Sequence, residues 1–255
     1  MTTVAAIRRY PVKGLSAEDL PAVELTAGQT LPFDRAYAIL HGPAAEMDQE
    51  GWRPKSEFFT LVRNEKLAAL DTTFDPETST LTIRRNGRQV ARGRLDQPMG
   101  RTLIEQFFAA YMAGAAPGAP KIAEAQGFAF TDKEAPMVSL VNLASVQDLE
   151  RLTKEPVDPG RFRANLWLDG LAPWVERDWA AGMVIRVGAA VLEMVQPTGR
   201  CAAIDVAPAG TPEGGSRALN LLTAMRRGLG HTHCGVYARV ITGGRVAVGD
   251  AVELG

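Results

Sequence analysis

Short apolar or alternating runs dominate the chain, and they predict a fold built mainly from β-strands. Several runs are bounded by Gly, Pro, Asn or Asp, which is typical of strands in a barrel or sandwich. The predicted strands cover residues 3–9, 36–40, 68–74, 81–85, 137–141, 165–168, 184–187, 191–195, 236–241 and 251–254. The predicted fold class is therefore mainly β (α+β), with a few helices flanking the sheets.

The Asn86-Gly87 pair supplies the clearest turn signal, between the runs 81–85 and 88–92. Both residue types tolerate positive φ, so the pair predicts a type I′ hairpin. Helical spacing of apolar residues occurs in three places. These are Leu103, Phe107, Phe108 and Tyr111, then Val146, Leu149 and Leu152, then Leu219, Leu222, Met225 and Leu229. Ser145 is predicted to cap the second helix and to leave its amino end open toward an anion.

Two stretches of small and turn-forming residues interrupt these patterns. Residues 113–120 read AGAAPGAP, without apolar periodicity, and are the candidate domain boundary. They predict two domains of similar size, over residues 1–115 and 121–255. Residues 207–216 read APAGTPEGGS, closely follow Cys201, and are expected to form a mobile loop over it.

The charge balance excludes several classes of partner. Lys and Arg number 28 against 29 Asp and Glu, a net charge of -1, and no basic stripe indicates nucleic acid or anionic lipid. Residues 1–10 lack the apolar core of a signal peptide, and no run approaches membrane-spanning length. We therefore expect a cytoplasmic protein without nucleic-acid or membrane partners. At 255 residues the chain can bury a substantial core, and we expect a monomer.

Both cysteines, Cys201 and Cys234, are expected to be free thiols in a reducing compartment. They are too few for an iron–sulfur cluster, so electrons for any redox work must come from another protein. Cys201 follows the run 191–195, where the strand is expected to break at Pro197, and such strand exits often carry working residues. Arg200 beside it would stabilise a thiolate, the form that ligates metals. On these residues alone, a structural thiol remains the simpler interpretation.

A second group of potential metal ligands, His231, His233 and Cys234, lies within four residues. Three donors so close in sequence seldom converge on one zinc ion, and no distant partner pair is evident. We interpret this segment as a loop leading into the last strands, with Cys234 partly buried.

Six short segments follow one another along nearly the whole chain. They are YPVKG at 10–14, FDR at 33–35, VSLVNLAS at 138–145, RFRAN at 161–165, TGRC at 198–201, and GVYAR at 235–239 followed by GD at 249–250. Together they resemble the MOSC proteins, a family named for the carboxy-terminal domain of molybdenum cofactor sulfurases. The two-part layout is similar to the mitochondrial amidoxime-reducing components and their bacterial relatives. It implies a MOSC N-terminal β-rich domain over 1–115, packed against a MOSC β-barrel over 121–255.

The resemblance also implies a site for molybdenum cofactor, the molybdenum complex of molybdopterin. Cys201 matches the family's metal-binding cysteine, so it is the implied catalytic residue and molybdenum ligand. The implied cofactor contacts are Lys13, Gly14, Arg35, Ser145, Arg163, Asn165, Thr198, Arg200 and Tyr237. Lys13, Arg35 and Arg163 match the cations for the molybdopterin phosphate, since a dianion leaves water at high cost unless it is paired.

The implied activity is reduction of N-hydroxylated or S-oxide small molecules by oxygen-atom transfer at molybdenum. The electrons would come from a separate flavin or iron–sulfur protein. Two alternatives remain open at this point: sulfur transfer through a persulfide on Cys201, and non-catalytic carriage of molybdenum cofactor.

Overall fold

A computed structural model describes residues 1–47, 51–115, 118–211, 213–217 and 219–255. Within these ranges the chain forms fifteen strands and three α-helices. The strands are β1 (Thr3–Arg9), β2 (Glu18–Leu20), β3 (Ala22–Leu25), β4 (Tyr37–Leu40), β5 (Asp71–Asp75), β6 (Thr80–Arg85), β7 (Arg88–Arg94), β8 (Lys121–Glu124), β9 (Val138–Asn142), β10 (Leu166–Asp169), β11 (Val184–Val187), β12 (Ala190–Gly199), β13 (His233–Thr242), β14 (Gly244–Ala247) and β15 (Val252–Leu254). The helices are α1 (Pro98–Tyr111), α2 (Leu143–Thr153) and α3 (Leu221–Leu229). The predicted mainly β class and the three predicted helices are confirmed.

Eight strands form one large sheet in the order β15-β11-β12-β13-β9-β10-β1-β2. β1 also pairs with the chain just before β15, through an antiparallel bridge between Thr3 and Ala251. This contact curls the sheet round into a barrel. Side chains alternate between the two faces of a strand, so Leu192 and Met194 of β12 both enter the apolar core that the curled sheet surrounds.

The two halves of the chain exchange strands. β1 and β2, from the amino-terminal half, belong to the large sheet, and β3 pairs with β14 near the carboxyl end. In the other direction, β8 pairs with β4. The halves therefore share three sheets, and the boundary at 113–120, of which residues 116–117 lie outside the described ranges, stays a prediction.

The amino-terminal half adds an antiparallel sheet of three strands, β5-β6-β7, on which α1 packs. The predicted hairpin is confirmed, because Asn86 and Gly87 join β6 to β7 with φ angles of 51° and 74°. Ile104 and Phe108 of α1 share a buried cluster with Ile83 of β6. The same buried cluster includes Val12 and Leu61, so it supports two segments of the amino-terminal half that line the candidate site.

The prediction that Ser145 caps the second helix is wrong. Asn142 is the cap: it has the extended backbone that a cap needs, and its Oδ1 accepts a hydrogen bond from Ala144 N at 3.0 Å. Ser145 lies within the first turn and is fully buried. Its hydroxyl donates to Glu176 Oε2 at 2.9 Å and accepts from Trp174 N at 2.7 Å, so it faces the core.

Strand β12 also differs from the prediction, since it does not break at Pro197 but continues to Gly199. Its pairing with β13 shifts in register between Met194 and Gln196, and again between Pro197 and Gly199. Proline has no amide hydrogen, and such irregularities are where a strand accommodates it. The chain therefore leaves the sheet closer to Cys201 than expected.

The remaining differences concern short elements. Residues 68 and 69 belong to a 3₁₀ turn (Glu65–Ala69), so the strand predicted from residue 68 begins at Asp71. β2, β3, β8 and β14 were not predicted, and each has only three or four residues. No helix in the described parts of the chain has the length and apolar character needed to cross a bilayer.

Candidate functional site

A cavity of about 150 Å³ lies where the two halves of the chain meet. Its walls come from the segments around residues 13–14, 35, 55, 60–62, 131–133 and 137–139, and around 161–165, 198–204 and 237. Nine of the ten site residues inferred from the sequence line it: Lys13, Gly14, Arg35, Arg163, Asn165, Thr198, Arg200, Cys201 and Tyr237. The tenth, Ser145, does not, because it lies in the first turn of α2 with its side chain buried against Glu176.

Cys201 is the accessible thiol of the pair. It follows the end of β12, lies beside the 3₁₀ turn Ala202–Asp205, and lines the cavity with its side chain partly exposed. Cys234 is fully buried in β13 rather than partly buried as expected, and burial raises the pKa of its thiol to about 12. A thiol of that pKa stays protonated near neutral pH. Cys201 is therefore the better candidate for metal ligation or nucleophilic chemistry.

Arg200 is held by the backbone rather than by Cys201. Its Nε and Nη2 donate to Cys234 O at 2.8 and 2.6 Å, and its Nη1 donates to Phe162 O at 2.7 Å. Three of its five donor hydrogens are thus in use. The guanidinium group lies at the cavity wall and ties β13 to the turn before Arg163.

Arg35 and Arg163 both pack their guanidinium groups against the ring of Tyr10. Their guanidinium carbons lie 4.3 and 4.2 Å from the Tyr10 ring centroid, and Arg35 Nη2 donates to Arg163 O at 2.8 Å. Arg163 Nη1 donates to Leu15 O at 2.8 Å. Burial lowers the pKa of Arg163 to about 10. Burial acts in the same direction at Arg35, but the Asp34 carboxylate and two neighbouring phenols together outweigh it and raise the pKa of Arg35. Arg163 forms no salt bridge within the described residues, so the more distant Asp34 and Asp132 carboxylates offset its burial only in part.

Lys13 takes part in a second charged group, which the sequence did not predict. Its Nζ donates to Phe130 O at 2.8 Å and to Asp132 Oδ1 at 2.7 Å, while Lys55 Nζ lies 3.4 Å from Asp132 Oδ2. Burial lowers the pKa of Lys13. Burial would raise the pKa of Asp132, but the two ammonium groups outweigh it and bring that pKa to about 2. The carboxylate is therefore ionised at any physiological pH.

Three buried polar atoms at the cavity have no hydrogen-bond partner within the described residues: Arg161 Nε, Arg163 Nη2 and Thr198 Oγ1. They are all the atoms of this kind found in that part of the chain. Buried polar groups are nearly always hydrogen-bonded. Three unsatisfied groups around one cavity, two of them guanidinium donors, indicate a ligand that accepts hydrogen bonds. Arg161 belongs to the RFRAN segment at 161–165, but no role was predicted for it from the sequence.

Asn165 and Gly14, two other predicted cofactor contacts, have roles in the fold itself. Asn165 Oδ1 accepts from Ser139 N and Ser139 Oγ at 3.1 and 2.8 Å, and its Nδ2 donates to Arg8 O at 3.1 Å. The amide thus joins β1, β9 and β10 while one edge borders the cavity. Gly14 has a φ of 85°, and a Cβ there would lie 3.2 Å from Phe59 O, so both the backbone conformation and the space favour glycine.

The lining of the cavity is strongly cationic although the chain as a whole carries a net charge of -1. Seven basic side chains line it against one carboxylate. The basic residues are Lys13, Arg35, Lys55, Lys133, Arg161, Arg163 and Arg200, and the carboxylate is Asp132. An anionic ligand fits this balance.

In the described residues, no three His, Cys, Asp or Glu side chains are grouped closely enough to hold a metal ion. His231 and His233 stack with ring centroids 6.0 Å apart, and His231 Nδ1 accepts from His233 N at 3.2 Å. A metal at Cys201 would therefore need further ligands that come with a cofactor.

Comparison with known proteins gives two family matches that together span most of the chain. Residues 1–117 match the MOSC N-terminal beta barrel domain, and residues 128–253 match the MOSC domain. No curated protein matches the chain.

Several solved structures are similar to the chain at low identity. The YUAD protein from Bacillus subtilis has a TM-score of 0.46 and 13% identity, with 99% of this chain and 95% of that chain covered. YiiM from Geobacillus stearothermophilus has a TM-score of 0.36 and 21% identity over 46% of this chain and 53% of that chain. YiiM from Escherichia coli has a TM-score of 0.35 and 21% identity, with the same coverage of 46% and 53%. The chain thus spans about half the length of these YiiM structures.

Proposed function

Because the chain belongs to the MOSC family, in the two-part form with an N-terminal β-barrel domain, we propose that its cavity binds molybdenum cofactor. The observation that carries this proposal is the set of three unsatisfied buried groups, Arg161 Nε, Arg163 Nη2 and Thr198 Oγ1, in the cavity that also exposes Cys201. The groups require an acceptor, and the thiol offers a soft ligand for a metal.

The residues present fit both ends of such a cofactor. A phosphate removed from water needs fixed charges and donors, and the unpartnered nitrogens of Arg161 and Arg163 supply both. Lys13 adds a buried ammonium group to the same cavity. Thiolate sulfur suits a transition metal that changes oxidation state, and Cys201 supplies the accessible thiol. The two ends of the site thus require different chemistry, and the cavity offers both.

We further propose that the protein reduces N-hydroxylated or S-oxide small molecules. Reduction of an N-hydroxylated compound breaks its N–O bond, consumes two electrons and two protons, and releases water. When bound, the cofactor supplies the oxygen-atom transfer and the two-electron redox change. The electrons come from a separate flavin or iron–sulfur protein.

The chain's own residues supply positioning and protons. Burial raises the pKa of Tyr237, so its phenol keeps its hydrogen and can donate to a substrate oxygen. The lowered pKa of Lys13 makes its ammonium group a stronger acid than an ordinary lysine. Asp132 remains ionised and holds that ammonium in place.

The test is turnover by the purified full chain with an artificial reductant and an N-hydroxylated substrate. We expect oxidation of the reductant only when substrate is added, with two electrons taken from the reductant for each molecule of N-reduced product formed. A persulfide on Cys201 without molybdenum would instead indicate sulfur transfer. Bound cofactor without turnover on any N-hydroxylated or S-oxide compound would indicate a carrier.

A further inference from the structure

A second cavity, of about 230 Å³, adjoins the first. The two share a wall made by Gly14, Leu61, Arg161 and Arg163. The segment 207–216, which was expected to cover Cys201, borders this second cavity instead, through Pro208 and Ala209. The space is larger than that beside Cys201, and the MOSC matches name no ligand for it.

The shared wall and the floor of the second cavity are rich in hydrogen-bond donors. Arg161 Nε and Arg163 Nη2 lie in the shared wall without partners among the described residues. Arg8 also lines the cavity and rests over the ring of Trp167, with 5.1 Å between its guanidinium carbon and the ring centroid. Only its Nε is engaged in the described structure, with Asp19 Oδ1 at 2.6 Å. Three guanidinium groups therefore have donor capacity left here.

The same cavity offers acceptors and an apolar surface. Asp158 uses Oδ1 to accept from Gly160 N at 2.7 Å, while its second oxygen, and both oxygens of Asp71, accept no hydrogen bond in the described part of the chain. Apolar side chains complete the lining, namely Leu15, Leu61, Val206 and Pro208. A ligand that matches this lining carries an anion, hydroxyl donors and a flat or apolar part.

We propose that the second cavity binds a nucleoside monophosphate group. Its phosphate would lie against the arginine wall, its ribose hydroxyls would donate to Asp71 and Asp158, and its base would cover the apolar side chains. At roughly 10–15 Å³ per water molecule, the volume far exceeds what a bare phosphate needs. Two sources share this chemistry: a nucleotide joined to the phosphate of the cofactor, and a free nucleotide. The first source rests on the proposed function, because it continues the cofactor across the shared wall.

The first experiment identifies the cofactor released by denaturing the purified full chain, by mass spectrometry beside molybdenum analysis. In parallel, equilibrium dialysis measures binding of GMP, CMP and AMP to the full chain expressed without molybdenum. A pterin dinucleotide establishes the attached source. A pterin with a single phosphate, together with nucleotide binding by the cofactor-free chain, establishes the free source. A single-phosphate pterin with no nucleotide binding overturns the inference, while the molybdenum it carries leaves the proposed function intact.

A matched pair of variants locates the site. Arg8→Gln removes a guanidinium from the second cavity, and we expect it to weaken nucleotide binding, or retention of a dinucleotide cofactor, by roughly tenfold. Arg186→Gln is the control, because Arg186 is exposed on β11 and lies 3.8 Å from Glu253, at neither cavity. Labelling of Cys201 by a thiol reagent in the cofactor-free chain should be the same in both, which shows that the fold is kept. Unchanged nucleotide binding in Arg8→Gln would place the nucleotide elsewhere and contradict the inference.

Discussion

The cations around the first cavity are fixed largely by backbone carbonyls. Arg35, Arg163 and Arg200 each donate to at least one main-chain oxygen, so their positions are set before any ligand arrives. Such prior fixation lowers the entropy cost of ordering long side chains around a ligand. Arg161 Nε and Arg163 Nη2 have no partner in the described residues, so these donors stay available to a ligand.

Replacing either of these arginines should weaken cofactor retention. Arg161→Gln and Arg163→Gln each remove a charge-assisted contact, which typically costs about 1.5–3 kcal/mol. The double variant should lose less than the sum, because both groups would bind the same phosphate. The measurement is the molybdenum that remains after extended dialysis, with Arg226→Gln, on the exposed end of α3, as control. Full retention in the double variant would show that the phosphate is bound elsewhere.

Asp132 should give the protein a characteristic acid sensitivity. Its pKa of about 2 in the folded chain lies below 3.8, the usual value for an aspartate, so its stabilising effect is complete above pH 4 and is lost as pH falls toward 2. Asp132→Asn should therefore lower the urea concentration at the unfolding midpoint at pH 7. In this variant the midpoint should also fall less steeply between pH 4 and pH 3 than it does in the wild type. Glu253→Gln, on the exposed end strand, serves as the control. An equal decline in wild type and Asp132→Asn would mean that this carboxylate is not held by Lys13 and Lys55.

At the scale of elements, the position of Cys201 depends on a contact between two segments distant in sequence. Arg217 Nη1 donates to Ala202 O at 2.8 Å, and its Nη2 donates to Val62 O at 2.7 Å. Its Nε also lies 2.5 Å from Glu65 Oε2. One side chain therefore ties the turn after Cys201 to a cavity wall from the amino-terminal half.

Arg217→Ala should loosen this turn with little loss of overall stability. We expect faster alkylation of Cys201 in the cofactor-free chain and weaker retention of molybdenum. The melting temperature should change little, since exposed ion pairs contribute about 0–1 kcal/mol. Glu65→Gln keeps the carbonyl contacts of Arg217 and should resemble wild type in both assays. The same alkylation rate in Arg217→Ala and wild type would show that the turn is held without this residue.

The sequence predicted elements well where a periodic pattern was long enough to read. The three helices and the long strands β1, β12 and β13 each have three or more apolar positions in a repeating pattern. The strands that were not predicted, β2, β3, β8 and β14, have only three or four residues and carry no such pattern. The prediction at Ser145 was wrong because a serine near the start of a helix can be either a cap or a buried residue of the first turn. Only the fold shows that Glu176 accepts the hydrogen bond from its hydroxyl. Asp132 and Lys55 meet only through the fold, so no local motif could have indicated their pairing with Lys13.

At the scale of the whole molecule, the exchanged strands join the two halves. β1 is hydrogen-bonded within the large sheet between β10 and β2, and β8 completes a sheet with β4. Separating the halves would leave unpaired strand edges in both, so neither half is expected to unfold alone. Cofactor bound at the cavity between them should stabilise the whole chain.

The cofactor-free chain should therefore melt in a single transition at a lower temperature than the loaded chain. A ligand at about a hundred times its dissociation constant stabilises by roughly 2.7 kcal/mol, which corresponds to about 5–10 °C in a chain of this size. Calorimetry of both forms measures this shift, and molybdate without pterin is the control that should produce none. Equal melting temperatures, or two transitions, would contradict a site that joins the halves.

The central claim, that Cys201 binds molybdenum, is tested most directly by the molybdenum and pterin content of two matched variants. Cys201→Ala removes the accessible thiol and should lose most of its molybdenum while keeping the wild-type fold, because a partly exposed side chain leaves little cavity. Cys234→Ala removes the buried thiol, whose pKa of about 12 keeps it protonated, and should retain its molybdenum. Full molybdenum content in Cys201→Ala, or its loss from Cys234→Ala alone, would contradict the account.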